Sequence, residues 1–340
     1  MTEKPKAVDL FSGCGGLSQG LKDAGFHVIA AVEIDELAQE TYAANHPEVQ
    51  LFGDITKINT LSMKRKLHVQ KGELDLLAGC PPCQGFTTLR TLNGSKEVKD
   101  PRNDLVIEFV RFVRAFLPKA VMFENVPRLI RDLRFTALLN ALRDLDFAVD
   151  FDILDAADFG VPQRRKRLIL VASRQGKVRL DRRARKRNSV RKVIGKLAPA
   201  GQSGDRLHDL PENRSDTVRA FIARIPKDGG SRRDLPAEEQ LLCHQRCNGF
   251  KDVYGRMAWD DVAPTITSGC VNPSKGRFLH PTENRAITLR EAALLQGFPR
   301  EYRFSLRRGK FPAAAMIGNA LPPALAEIQG RALKTIRIKR

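Results

Sequence analysis

No apolar run in the chain reaches the roughly 18 residues of a membrane span. The opening residues Met1 to Lys6 are polar and lead straight into a strand-like stretch, without the apolar segment of a secretion signal. Acidic residues are in short supply, 39 Asp and Glu against 58 Lys and Arg, for a formal net charge of +19. Membrane, coiled-coil and collagen classes are excluded. Six cysteines without a signal segment point to a reducing, cytoplasmic setting, and a disulfide framework is not expected. What is present is a chain of 340 residues, 42% of them hydrophobic, which excludes global disorder and allows one large domain or two smaller ones. The cationic excess calls for a polyanionic partner, most simply nucleic acid.

Short β-branched runs alternate with amphipathic segments up to about residue 145. Strands are expected at Ala7–Phe11, Val28–Val32, Val49–Phe52, Leu74–Ala78 and Ala120–Phe123. Helices are expected at Leu17–Ala24, Glu36–Ala44, Asp104–Phe116 and Phe135–Leu142. This alternation specifies an α/β fold with a doubly wound, mostly parallel sheet. Val149–Leu154 and Arg167–Ala172 follow without an intervening helix, so an antiparallel pair is expected there. Residues 176–200 then carry ten Lys and Arg against one acid, Asp181. Up to about residue 262 the chain is rich in Gly, Pro, Asp and Arg with little periodicity, as in a small loop-rich domain. Thr288 and Glu291 form a capping-box pattern for a helix at Leu289–Gln296, and Pro322–Ile336 reads as a terminal helix.

Ligands of an open parallel sheet bind beyond the carboxyl ends of its strands. The first strand ends in Phe11-Ser12-Gly13-Cys14-Gly15-Gly16, a loop whose backbone can approach a ligand closely. Glu33 ends the second strand, twenty residues past Gly13, where a carboxylate can take ribose hydroxyls. Ser18 occupies the third glycine position of the dinucleotide fingerprint, which favours an adenosine cofactor without pyrophosphate. The fourth strand leads into Gly79-Cys80-Pro81-Pro82-Cys83-Gln84-Gly85-Phe86. Cys83 lies between restrictive prolines and a permissive glycine, as a presented thiol nucleophile would. The weaker readings of the cysteines are a zinc site joining Cys80 and Cys83 to Cys243 and Cys247, and a thioredoxin-like pair. Cys14, Cys80 and Cys270 read as buried, inert thiols. Glu124 ends the fifth strand at Glu124-Asn125-Val126, suited to sharing a proton with a bound base. Strand alternation from Gln163 would put Arg165 and Arg167 on one face, where guanidiniums could hold a carboxylate or a base edge.

Together these residues resemble the DNA cytosine-5 methyltransferase family, of prokaryotic restriction-modification type. Phe11 to Gly16 is similar to the family's motif for S-adenosylmethionine, and Pro81-Pro82-Cys83-Gln84-Gly85-Phe86 to its catalytic motif. Glu124-Asn125-Val126 and Gln163-x-Arg165-x-Arg167 resemble its glutamate and arginine motifs. Arg285 to Ala293 with Leu295 to Pro299, and Gly318-Asn319-Ala320-Leu321-Pro322-Pro323, resemble the last two. The motifs run in family order from residue 7 to 328. Thr87, Met316 and Ile34 depart from the usual Ser, Gln and Trp, and Ile34 can still pack on adenine.

The resemblance implies a methyltransferase fold with S-adenosylmethionine as donor and no metal. It implies addition of Cys83 to C6 of cytosine, Glu124 hydrogen-bonded to N3 and the exocyclic amine, and Arg165 and Arg167 orienting the base and Glu124. It further implies ribose on Glu33, the adenine amine on Asp54, and cofactor packing by Phe11, Ile34, Ile55, Pro82 and Leu105. Asn319 and Leu321 would complete that pocket. The implied domains are a catalytic part (1–173), a target-recognition domain (174–262) and a returning C-terminal part (263–340). Gln84–Lys99 is expected to be a loop closing over DNA. Double-stranded DNA is the expected substrate, bound by a monomer, with no membrane partner; a companion restriction endonuclease or defence system and a solitary enzyme are equally compatible. A tRNA methyltransferase, a non-catalytic DNA-binding relative and a nicotinamide oxidoreductase are the alternatives.

Overall fold

The computed structural model describes residues 3–82, 105–241 and 252–335. Its contacts divide the chain into two compact units: Met1–Asp155 with Lys166–Ala184 and Leu321–Arg340, and Ala156–Arg165 with Arg185–Ala320. The sequence reading put its boundaries at 173 and 262. The contacts instead group residues 156–165 and 263–320 with the loop-rich part. A backbone ladder is one reason: Arg164 donates to Ala263 O at 2.9 Å, and Ala263 to Pro162 O at 2.8 Å.

The first unit is a seven-stranded sheet. Its strands are β1 (Lys6–Leu10), β2 (His27–Val32), β3 (Gln50–Phe52), β4 (Leu76–Gly79), β5 (Ala120–Asn125), β6 (Ala148–Asp155) and β7 (Lys166–Ser173), in the order β3-β2-β1-β4-β5-β7-β6. β1 to β5 pair in parallel, while β7 runs antiparallel to both β5 and β6. The expected parallel sheet with an antiparallel end is therefore present. Crossovers are made by α1 (Gly16–Asp23), α2 (Glu36–Asn45), α3 (Thr60–Lys66), α4 (Leu105–Phe116) and α5 (Leu133–Arg143). Helix α4 buries Phe109, Phe112, Val113 and Phe116 at helical spacing, and they join Val8, Leu10, Val121 and Phe123 in one core. Each such side chain contributes about 1.5–3 kcal/mol by leaving water.

Asp9 alternates with Val8 and Leu10 and so faces the opposite side of the sheet, towards α1 and α2. There the terminal helix α10 (Pro323–Thr335) packs on α1, with Gly20 against Pro323 and Ala326, and Gly330 against Ala24. A Cβ at Gly20 would strike the Pro323 carbonyl oxygen. The start of the basic run lies along β6. Leu180 N–H donates to Asp150 Oδ2 at 2.8 Å, and Arg182 bonds both Asp150 and Asp152. Asp181 exchanges hydrogen bonds with Gln329 of α10.

The second unit carries α6 (Val190–Ile194), α7 (Asp216–Arg224), α8 (Leu289–Gln296) and α9 (Lys310–Asn319) among loops. Helix α8 starts at the expected capping box, Thr288 with Glu291. Arg256, with no exposed surface, stands in for a larger apolar core. Its guanidinium donates to the carbonyls of Ile222, Ile225, His280 and Glu283 and to Asn284 Oδ1, at 2.5–3.1 Å. These bonds gather α7 and two loops around Phe221, Ile222, Ile225 and Leu279.

Candidate active site

In the first unit the glycine loop, Glu33, Asp54 and Glu124 sit at or just beyond the carboxyl ends of β1, β2, β3 and β5. After β1 the chain turns through three left-handed residues, Phe11 (φ 60°), Gly13 (φ 53°) and Gly15 (φ 97°), before α1 begins. A side chain at Gly13 would meet nothing within 4 Å, so this backbone borders open space. Gly13 N–H donates to Glu33 Oε2 at 2.8 Å and Asp35 N–H to Glu33 Oε1 at 2.8 Å. Glu33, expected from its spacing alone, is thus joined to the glycine loop. Burial raises its carboxyl above the usual range, and the two amides oppose that rise. Ile34 beside it is 68% exposed, which is unusual for an aliphatic side chain next to a core.

Asp54 caps the turn after β3, accepting Thr56 N–H at 3.0 Å and its hydroxyl at 2.7 Å, which hold the carboxyl below its ordinary value. Ile55 is buried behind it, while Phe11 and Leu105 are partly buried on the same core. Ser12 and Cys14 are buried within the loop, and burial pushes the Cys14 thiol up to about 12. Cys270, in the second unit, is pushed up to about 12 in the same way. Both thiols are buried, as expected.

At the end of β5, Glu124 Oε1 pairs with Arg167 Nε at 2.9 Å, with both side chains largely shielded. This is the carboxylate and arginine pair anticipated from the sequence. Asn125 Nδ2 donates to Pro81 O at 3.0 Å and so fixes the segment entering Pro82 beside Glu124. Cys80 donates its amide to Leu10 O at 3.2 Å. Burial, reinforced by Glu124, keeps its thiol well above the usual thiol range. Cys83 and Gln84–Lys99 lie outside the described residues, as do Cys243 and Cys247.

The expected alternation holds in burial: Gln163 and Arg165 are buried and Arg167 half-buried, while Arg164 and Lys166 are exposed. β7 begins at Lys166, and Arg165 belongs to the second unit. There it is buried, donating to Ile266 O at 2.9 Å and Gly318 O at 2.8 Å. Its neighbour Gln163 donates to Leu295 O and Gln296 Oε1 and accepts Ile266 N–H. The backbone at Gln163 and Arg164 pairs with Ala263, and Arg165 O accepts Ala156 N–H at 2.9 Å. Arg165 thereby holds the end of α9, where Asn319 is exposed. Leu321 is buried in the first unit.

One residue was missed. Asp9 is fully buried, with Oδ2 accepting the Ser18 hydroxyl at 2.6 Å; that hydroxyl lies 2.6 Å from Tyr42 Oη. Burial raises its carboxyl to about 7. Asp9 Oδ1 and Ser12 Oγ are both buried without a hydrogen-bond partner. Such atoms cost free energy unless a ligand or water completes them. The sequence signal was an acid inside the apolar run Ala7-Val8-Asp9-Leu10. Two orphaned acceptors, an open glycine backbone and an exposed Ile34 fit a ligand with a polar, cationic end and a flat apolar part.

The basic run is less free than its charge suggests. Arg182 faces Asp150 and Asp152, and Arg183 faces Asp181. Within the second unit Arg187 faces Asp158, and Arg191 faces Asp260 while lying over the Trp259 ring. Among the described residues no helix is long and apolar enough to cross a membrane.

The family model of the C-5 cytosine-specific DNA methylases matches residues 5–335. The type II methylase M.HgiDII of Herpetosiphon aurantiacus is 34% identical over 96% of this chain and 94% of its own length. The type II methyltransferase M1.HphI of Haemophilus parahaemolyticus is 33% identical, covering 94% of this chain and 84% of its own. Among solved structures, a putative prophage-encoded DNA modification methyltransferase from E. coli superimposes with a TM-score of 0.76. It is 24% identical, over 99% of this chain and all of that one.

Proposed function

The chain belongs to the C-5 cytosine-specific DNA methylase family, and from that premise we propose that it methylates C5 of a flipped-out cytosine within a specific duplex sequence, using S-adenosylmethionine. The observation that carries this reading is the Glu124–Arg167 pair, set beside the Pro81 anchor at the sheet's carboxyl edge. When bound, S-adenosylmethionine supplies an electrophilic methyl group on its sulfonium.

C5 of cytosine is too weak a nucleophile to take that methyl unaided. The Cys83 thiolate adds to C6, and the ring becomes an enamine nucleophilic at C5. Glu124 hydrogen-bonds N3 and the exocyclic amine and stabilises the charge that develops there. Arg167 holds Glu124 in place, and Arg165 acts at a remove by fixing the turn that carries Asn319. After methylation, loss of the C5 proton to a base expels Cys83 and restores the aromatic ring. Glu33 takes the ribose hydroxyls, Asp54 the adenine amine, and Ile34 the adenine face. Phe11, Ile55, Pro82, Leu105 and Leu321 pack around them, and Asp9 Oδ1 and Ser12 Oγ accept from the polar end.

C5 and C6 are stacked within a duplex, so the base is extruded at a cost of a few kcal/mol. Residues 174–262 carry the target-reading residues. The enzyme acts in the cytoplasm on chromosomal DNA, protecting it from a companion restriction endonuclease. The experiment is bisulfite sequencing of DNA from cells expressing the protein, with purified enzyme and labelled S-adenosylmethionine as the second arm. Methylated cytosines confined to one sequence are expected. Label transferred to tRNA but not DNA would overturn the reading.

A further inference from the structure

The segment following the Glu124 strand presents cationic and apolar side chains together on its exposed side. A short 3-10 turn, Pro127–Arg131, links β5 to α5 and is anchored by one side chain, Leu129, which is 1% exposed. Leu129 N–H bonds Val126 O at 3.1 Å and Asp132 N–H bonds Leu129 O at 2.9 Å, so the turn is held at both ends. The rest of it faces outward. Arg128 and Arg131 are exposed, Ile130 is 37% exposed, and Leu133 at 85% is the most exposed large apolar side chain described.

Leu133 lies off the buried stripe of α5, which is Phe135, Leu138, Ala141 and Leu142. Asp132 pairs with Arg134 at 2.7 Å. Rigid, cationic and apolar together, the patch is suited to a partner that presents both phosphates and stacked apolar rings. It adjoins the carboxylate that receives the target base.

We propose that Arg128, Ile130, Arg131 and Leu133 form a contact surface for the DNA strand flanking the flipped cytosine, with the arginines on phosphates and Leu133 against the base step opened by extrusion. Apolar side chains at unstacked steps are an established way to hold a distorted duplex. This rests on the proposed duplex substrate and adds to it a surface outside the sequence motifs.

The test uses full-length enzyme and a duplex carrying the methylation site found by sequencing. For R128A/R131A, the slope of log affinity against log salt should fall by about 2, and affinity at low salt by tenfold or more on any sequence. For L133S, methylation of a fully paired site should fall by about five- to tenfold. Placing an abasic position opposite the target cytosine, where extrusion is already cheap, should restore most of that loss. L61S, altering an exposed apolar residue on α3, is the folding and solubility control. An unchanged salt slope in R128A/R131A, or a loss in L133S that the abasic partner does not restore, overturns the proposal. A change in oligomeric state with DNA affinity intact would also overturn it, by assigning the face to a second copy of the chain. Wild-type enzyme that fails to methylate duplex DNA would instead sink the underlying reading.

Discussion

The two units leave different buried polar atoms incomplete. In the second, Arg256 has four carbonyls and a side-chain amide, and Arg165 has two carbonyls, while Nε of Arg165 and Nε of Arg232 make no hydrogen bond. In the first, the incomplete atoms at the sheet edge are oxygens, Asp9 Oδ1 and Ser12 Oγ. A guanidinium with one idle nitrogen still ties a loop-rich body together through its others. A buried carboxyl oxygen left without a donor costs free energy that a ligand or water would recover.

The sharpest break in that comparison comes from residues that act only in chemistry. Cys83→Ala should abolish methyl transfer and leave DNA affinity within a fewfold of wild type, checked by filter binding beside label incorporation. Glu124→Gln should lower kcat by about 10²–10³, since it removes charge stabilisation from the step that forms the enamine. In the second unit the expected loss is of folding. Arg256→Met leaves at least four acceptors without a donor and should destabilise by about 3–5 kcal/mol, seen as an earlier urea transition or as proteolysis confined to residues 185–320. If Arg256→Met were neutral, the scaffold reading of buried arginine would fail.

Asp9 sets a finer test. Its folded carboxyl titrates at about 7, against an ordinary value of 3.8. Between these values the folded chain keeps a proton that the unfolded chain has released. Wild-type stability should therefore fall as pH rises through this window and level off above it. Asp9→Asn should remove that slope, a difference of ~1–4 kcal/mol across the window in paired denaturation series. Cofactor should protect the wild type more than the variant, because the orphaned oxygen is the group it would complete. The smallest effect expected is at Gly13→Ala, where space is open and the cost is backbone strain at φ 53°, about 1 kcal/mol, read as weaker cofactor binding with kcat retained.

Much of the first unit was legible because its signals are local. Strand runs alternate with amphipathic helices, Glu33 follows β2, and Glu124 stands at the carboxyl end of β5. The failures were non-local. Arg182 meets Asp150, Arg187 meets Asp158, and Arg191 meets Asp260, across 29 to 69 positions, so a run that reads as bare charge is partly paired. Helix α3 was not expected, because Met63 is its single buried residue. Helix α9 was missed because alanines, Pro312 and Gly318 hide its period. The alternation from Gln163 to Arg167 was legible, but the partners were not: Arg165 meets Ile266 O and Gly318 O, 101 and 153 positions away.

The docking of α10 on α1 has a consequence for biosynthesis. Gly20 and Gly330 let the two helices approach at backbone distance, yet the whole second unit lies between them in the chain. While the ribosome is making that unit, α1 lacks the helix that packs on it. The parallel sheet can form early, but α1 gains its partner only after α10 has left the exit tunnel. Translation order thus acts as a timer on the covering of α1.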